Sequence, residues 1–186
     1  MKFIIYLFLS ISLYSLAEDD HHNHDHDHDH HRDEEAKKKS MDAHEHGVSV
    51  LNLAQDTNKI SFEFEMPGFD VVGFEYKAKK KEDIKKVRNA LDVLSKPDNM
   101  IIVNAEAACK KEESSAKVIN EGSHSEFLSE YILNCEKISL IKNIKIIYFN
   151  SFPLSKKIKV NLVTDNKKLS KTLDITDNII NVEGYF

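Results

Sequence analysis

The feature that most limits the fold of this chain is a polar run near its start that no hydrophobic core can include. Residues 18–43 read EDDHHNHDHDHDHHRDEEAKKKSMDA and contain almost no apolar side chains. Because such a segment buries too little apolar surface to offset the conformational entropy lost on ordering, we expect it to be disordered. The folded part of the protein is therefore predicted to be one domain, residues 44–186.

The residues ahead of this segment have the pattern of a secretory signal peptide. Lys2 supplies a positive start, residues 3–16 are nearly all apolar, and Ser15 and Ala17 are small residues where a signal peptidase reads the chain. The apolar stretch is shorter than the roughly 20 residues of a membrane-spanning helix, which favours cleavage over an uncleaved anchor. We therefore expect residues 1–17 to be removed and the mature protein, without a membrane span, to be periplasmic.

Charge is concentrated in the polar segment. The whole chain has a formal net charge of −5, whereas residues 18–35 carry nine acidic groups against Arg32, a net of −8. Subtracting that segment and the +1 of Lys2 leaves +2 for residues 36–186. A nearly neutral domain without a concentrated basic face does not fit a nucleic-acid-binding protein.

Hydrophobic periodicity predicts an α+β domain with a mostly antiparallel β-sheet and one main amphipathic helix. An alternating pattern after Val48 predicts a β-hairpin that ends at Pro67-Gly68. An apolar stripe at helical spacing, Ile84, Val87, Leu91 and Leu94, predicts a helix over residues 82–95. Further strands are predicted at 100–103, 127–135, 158–162, 173–175 and 179–182.

Three segments have weaker patterns. Residues 140–149 fit a helix or a strand equally well. The stretch around residues 109–115 is predicted to be a loop. The Gly-bracketed stretch 68–76 is predicted to be a turn that caps the core with Phe69, Val72 and Phe74.

The two cysteines, Cys109 and Cys135, are predicted to form a disulfide. In an oxidising compartment a small, even number of cysteines indicates a bridge. Closing this loop would stabilise the fold by roughly 3 kcal/mol on the chain-entropy model. The alternative, a pair of thiolate metal ligands, is weaker because exported thiols tend to be oxidised.

The polar segment has the composition of a metal chelator. Seven of the ten histidines lie in it: His21, His22, His24, His26, His28, His30 and His31. Neutral imidazole is the commonest protein ligand for zinc, copper and nickel. The interleaved Asp25, Asp27 and Asp29 can serve as oxygen ligands or lower the cost of holding a divalent cation. We expect several ions to bind in interchangeable arrangements, with Zn²⁺ the first choice and Cu²⁺ or Ni²⁺ open.

The predicted domain holds three more histidines. His44 and His46 precede the first strand, and histidines two apart in extended chain project from the same side and can chelate one ion. His124 precedes the strand that leads to the second cysteine. If the two strand starts are neighbours, three imidazoles with Glu126 or Glu75 could form a four-coordinate zinc site. Taken alone, His44 and His46 are explained as well by exposed surface positions, and His124 is explained better by a surface or turn position than by metal binding.

The sequence favours a binding protein over an enzyme. It lacks HExxH, a nucleophile elbow, a Gly-rich phosphate loop and a convincing acid pair. The chain left after cleavage is also too short for a two-lobed solute-binding protein. A copper or nickel buffer or chaperone of the same build stays open, and a zinc-dependent hydrolase is a less favoured alternative.

Five segments occur in an order that is similar to a known family. From about His44 to the end they read HEHGVSVLNLA, FEFEMPGFDVVGFEY, HSEFLSEYILNC, FNSFP and KIKVNLV, and they follow a His-rich stretch. They resemble the ZrgA-like periplasmic zinc-uptake proteins. The resemblance implies a zinc-binding protein that assists zinc acquisition, with delivery to a zinc ABC transporter or its solute-binding protein as the implied route. It also implies that His44, His46 and His124 belong to family motifs, whereas Tyr76 stands where relatives often have histidine.

Overall fold

The computed structural model describes residues 45–186, in which β-strands dominate and one helix is long. The α+β prediction is confirmed. The strands are β1 (Val48–Asp56), β2 (Lys59–Pro67), β3 (Ile101–Val103), β4 (Cys109–Glu121), β5 (His124–Cys135), β6 (Asn143–Ile146), β7 (Lys157–Val163), β8 (Lys168–Asp174) and β9 (Ile179–Asn181). The helices are α1 (Gly68–Val72) and α2 (Lys81–Leu94). Within the described residues no helix has the length and apolar character needed to cross a membrane.

The strands form a large sheet and a small one. The larger sheet has six strands in the order β4-β5-β2-β1-β7-β8, and the smaller has the order β3-β6-β9. Neighbouring strands are antiparallel, as predicted, except for the parallel pair β1–β7. Since β1 and β5 both run antiparallel to β2, their first residues lie at the same end of the sheet, where β2 finishes.

The core follows the alternation that predicted the hairpin. Ile60, Phe62, Phe64 and Met66 of β2 are at most 1% exposed, and the residues between them point away from the core. Tyr131 of β5 is buried against them and donates its hydroxyl hydrogen to the carbonyl oxygen of Leu94, the last residue of α2. Burial raises the pKa of Tyr131 to about 12, so the hydroxyl keeps its proton and ties the helix to the sheet.

The helix prediction is confirmed with bounds shifted by one residue, but its apolar stripe is buried only at one end. Leu94 is fully buried, whereas Ile84 in the first turn is 41% exposed. Glu82 and Asp83 occupy that first turn, where negative charge favours the helix dipole. The helix therefore packs against the core by its C-terminal half.

Two predictions of irregular structure are wrong, one of them only in part. The stretch 109–115 is not a loop but the first part of β4, an edge strand whose side chains are mostly exposed on both faces. This part of the strand is held by backbone hydrogen bonds to β5 and not by buried side chains. Its sequence therefore does not alternate between apolar and polar residues. The stretch 68–76 is irregular only after α1, so its prediction is wrong in part. Phe69 is 36% exposed and does not cap the core, whereas Val72 packs against the core as predicted and Phe74 is half-buried.

Pairing with neighbouring strands determines the secondary structure of the remaining segments. Residues 140–149, which fitted helix or strand, contain β6 between two 3-10 turns. Strand β8 begins at Lys168, earlier than predicted, because its ladder to β7 extends over alternating polar residues.

The predicted disulfide is confirmed. Cys109 and Cys135 are directly opposite each other in the β4–β5 ladder and are joined by an S–S bond of 2.05 Å. The bond uses both thiols of the protein. The alternative of two thiolate metal ligands does not hold for this oxidised form.

Gly68 allows the chain to leave β2 in close contact with β5. A Cβ atom at this position would lie 2.0 Å from Ser125 Oγ and 2.9 Å from the carbonyl oxygens of Phe74 and Ser125. Only glycine fits without movement, because the backbone oxygens cannot rotate away. This contact holds the segment that begins with α1 against the start of β5.

Replacing both cysteines, as C109A/C135A, is expected to lower the free energy of unfolding by about 3 kcal/mol, because the bridge restricts the unfolded chain. The fold should persist, since the two positions are already paired in the ladder. Urea unfolding of the variant, and of the wild type with and without reductant, measures the effect. Equal midpoints in the three samples would contradict the expectation.

The variant G68A is expected to lose about 1–3 kcal/mol of stability, because the added methyl group overpacks the contact with β5. The double variant G68A/S125G removes the atom nearest to that methyl group and should recover part of the loss. Both are measured by urea unfolding. A G68A protein as stable as the wild type would show that the segment can move away at no cost.

Candidate metal-binding site

Three side chains from distant parts of the sequence meet at one end of the larger sheet. His46 lies just ahead of β1, His124 is the first residue of β5, and Glu75 follows α1. The strand directions place the two histidines at the same end, and the chain leaving β2 brings Glu75 between them. The predicted neighbourhood of the two strand starts is therefore present for His46 and His124.

Glu75 contacts both imidazoles through its carboxylate. Its Oε1 lies 3.0 Å from His46 Nε2, and its Oε2 lies 2.7 Å from His124 Nδ1. The side chain of Glu75 is 14% exposed, whereas those of His46 and His124 are 54% and 63% exposed. The carboxylate is thus held inside the surface while both rings are open to solvent.

These contacts select the ring nitrogens that carry hydrogen. A carboxylate accepts hydrogen bonds, so His46 Nε2 and His124 Nδ1 are the donating nitrogens. In neutral rings, His46 Nδ1 and His124 Nε2 then carry the free lone pairs. A histidine that donates one N–H to a carboxylate and offers its other nitrogen to a cation is the usual arrangement in metal sites.

His46 is held by its ring and by the backbone that follows it. The imidazole stacks on Phe69 of α1, with ring centroids 4.6 Å apart and planes at 12°. Gly47 adopts a φ of +85°, its N–H donates to Asp70 Oδ1 at 2.7 Å, and its carbonyl accepts from the N–H groups of Lys156 and Lys157. The ring therefore has little freedom relative to α1.

The chain around His46 is not the extended segment that the sequence predicted. Residues 46 and 47 form a turn, closed by a hydrogen bond of 3.0 Å from the N–H of Val48 to the carbonyl of Glu45. The expectation that His44 and His46 project from the same side stays a prediction, because it depends on the chain ahead of this turn. His44 itself lies outside the described residues.

Asp70 lies directly behind the turn and is 1% exposed. Burial raises the pKa of this carboxyl group, while the N–H of Gly47 and the Ser155 hydroxyl act in the opposite direction. Ser155 belongs to a buried polar network in which Tyr148 hydrogen-bonds to both Ser155 and Ser49. Burial raises the pKa of Tyr148 to about 12, so its hydroxyl keeps its proton at neutral pH.

The other predicted residues differ in what surrounds them. Glu126, the second candidate carboxylate, is 5% exposed and lies opposite Pro67 in the β2–β5 ladder. Tyr76 donates its hydroxyl hydrogen to Asp83 Oδ2 at 3.0 Å and stacks on Phe74, so it fastens the segment after Glu75 to α2. The segment that was predicted to bind metal lies outside the described residues, with His21, His22, His24, His26, His28, His30, His31, Asp25, Asp27 and Asp29.

Sequence reasoning missed the two residues of α1 that hold His46. Phe69 was assigned to core packing, and Asp70 was not singled out. The available signal was an acidic residue inside the apolar stretch Gly68–Gly73, because a charged group in such a place has to find a buried partner.

The cluster of His46, Glu75 and His124 is a hydrogen-bonded arrangement. In residues 45–186 no group of three or more His, Cys, Asp or Glu side chains is arranged to hold a metal ion. Two imidazoles and one carboxylate are also one short of the four ligands usual for zinc. A cation could enter only with small movements of these side chains and with a further ligand.

Comparison with known proteins agrees with the resemblance noted in the sequence. No curated protein matches the chain significantly. Residues 43–182 match the family described as ZrgA family zinc uptake protein, a range that includes the whole cluster around Glu75. The chain therefore belongs to the ZrgA family of zinc uptake proteins.

Proposed function

We propose that this protein captures zinc in the periplasm with two kinds of site and thereby assists zinc uptake. One is the His-rich segment, residues 21–31, and the other is the cluster at the end of the larger sheet. The observation that supports the second site is that the Glu75 carboxylate contacts both His46 and His124, which are far apart in the sequence. Family membership supports zinc as the cargo.

The His-rich segment supplies many equivalent ligands. Three or four imidazoles can surround one ion in several registers, so several ions bind and exchange quickly. Because a protonated imidazole cannot ligate and the ordinary imidazole pKa is about 6.5, acidification releases the ions. The alternating aspartates keep the segment negative until cations arrive.

The cluster supplies fewer ligands in fixed positions. Both rings are more than half exposed, so an ion reaches them without opening the core. His46 and His124 bind the ion, and Glu75 either enters the coordination sphere or orients both rings from behind. His44 is two positions from His46 and supplies a third imidazole. Because the rings are already held close together, the small movements that admit an ion cost less entropy than ordering the segment does.

The remaining parts of the proposal follow from the leader and the family. The apolar start of the chain directs export, and a zinc uptake family is consistent with an exported protein. Zinc passes from this protein to a zinc ABC transporter or its solute-binding protein. We assign the role of a binding protein and not of an enzyme, since binding and release of zinc require no further function from the cluster.

Replacing the seven histidines of residues 21–31 by asparagine, which leaves the aspartates in place, is expected to abolish binding of several zinc ions and to leave one. Calorimetric titration of the full mature chain counts the ions. The matched control D25N/D27N/D29N keeps every imidazole and should retain most of the stoichiometry. Unchanged stoichiometry in the histidine variant would remove the proposed role of the segment.

In the same segment-substituted chain, H46A/H124A is expected to abolish the remaining zinc binding. The variant E75Q should weaken binding by about 10- to 100-fold, the usual effect of removing a carboxylate that orients metal-binding histidines. The control E112Q changes a carboxylate that pairs with Lys59 elsewhere on the sheet. Zinc binding of wild-type strength in H46A/H124A would exclude the cluster. Because most such sites bind Cu²⁺ more tightly than Zn²⁺, a copper or nickel buffer would instead be indicated by copper or nickel in place of zinc in protein purified from its native compartment.

A further inference from the structure

Asp70 is a buried acidic residue that accepts a hydrogen bond from the turn that carries His46. It is 1% exposed, and its Oδ1 accepts the N–H of Gly47 at 2.7 Å. Its carboxyl group also interacts with the Ser155 hydroxyl, which joins it to the buried network of Tyr148 and Ser49. A carboxyl group in such a place costs free energy, so its presence needs a reason beyond packing.

The hydrogen bond to Gly47 fixes a peptide plane. The planar unit that contains the Gly47 N–H also contains the carbonyl of His46. Holding that N–H therefore fixes the backbone rotation that sets where the His46 side chain leaves the chain. On the far side of Gly47, the N–H groups of Lys156 and Lys157 hold its carbonyl at 2.9 and 2.8 Å.

The same short segment holds the ring of His46. Phe69, the residue before Asp70, stacks on the imidazole, and Glu75 accepts its N–H at 3.0 Å. Backbone, ring face and ring nitrogen are thus each fixed by a residue between positions 69 and 75. Asp70 is the member of this set that is sequestered from solvent.

We propose that Asp70 is a positioning residue of the cluster: by holding the His46–Gly47 peptide it presents the His46 imidazole to Glu75 with the donating nitrogen inward. Its effect on zinc affinity rests on the proposed function, whereas its effect on His46 does not. The role belongs to the hydrogen bond accepted by Oδ1, and an asparagine oxygen in the same place performs it.

The experiment compares three variants of the full mature chain in its zinc-free form. D70A removes the acceptor, and D70N keeps an acceptor oxygen without the charge. S49A is the matched control, because it removes a hydroxyl that hydrogen-bonds to Tyr148 in the adjoining network and leaves the Gly47 contact in place. Long-range ¹H–¹⁵N NMR spectra of the imidazoles report which nitrogen of each histidine carries hydrogen.

In the wild type, D70N and S49A, we expect His46 to carry its hydrogen on Nε2. In D70A we expect a mixture of both forms at His46, with His124 unchanged. An unchanged His46 in D70A overturns the proposal, and so does an S49A spectrum altered as strongly as that of D70A. If D70A does not fold, D70V replaces it. If neither folds, hydrogen exchange of the Gly47 amide is measured in D70N. Faster exchange of that amide with an unchanged His46 would then overturn the proposal.

Zinc titration of the same variants, in chains with the seven segment histidines replaced, completes the test. D70A should lower zinc affinity by about 10- to 100-fold, and D70N and S49A should stay close to the wild type. A D70N protein as weak as D70A would assign the effect to charge and overturn the proposal. If D70A alters His46 but the parent chain binds no zinc, the positioning role stands and the proposed zinc site fails.

Discussion

The arrangement depends on β2 pairing antiparallel to a neighbour on each side. Its four buried side chains fix which residues of β1 and β5 lie opposite, since a slip of one residue would turn Glu63 and Glu65 into the core. The starts of β1 and β5 are therefore held at one end of the sheet, two strand widths apart. The chain that leaves β2 fills the space between them, and Gly68 lets it do so in contact with Ser125. The position of the cluster is thus a consequence of core packing.

The two kinds of proposed zinc site differ in when the entropy of binding is lost. In the His-rich segment, predicted to be disordered, each captured ion has to order the residues around it, so affinity is limited and exchange is fast. At the cluster, the stack on Phe69 and the carboxylate of Glu75 order the rings before an ion arrives. A chain with both kinds of site can bind several ions weakly in the segment and one ion with higher affinity at the cluster.

Sequence reasoning reached what local patterns encode. The β1–β2 hairpin, the long helix and the disulfide followed from alternation, helical spacing and the oxidising context. The sequence suggested that the two strand starts could be neighbours, but it left Glu75 and Glu126 as equal candidates for the carboxylate between them. The first part of β4 was missed because an edge strand exposed on both faces has no alternation. The short helix α1 and the burial of Asp70 were missed because both depend on contacts with β1 and β5. All the metal ligands remain predictions, both those in residues 21–31 and His44, His46 and His124.

The outer strand β4 has a consequence for how copies of the chain meet. It ends the larger sheet with a free row of backbone groups, a surface onto which another molecule's strand could add. Lys110, Lys111, Glu112 and Glu113 are exposed on this strand, with Lys110 paired to Glu136 and Glu112 to Lys59, and charged side chains on an edge strand disfavour the addition of another strand. The disulfide at Cys109 also prevents the margin from peeling away and exposing the apolar face of β5. Together they disfavour the addition of a further strand at this margin.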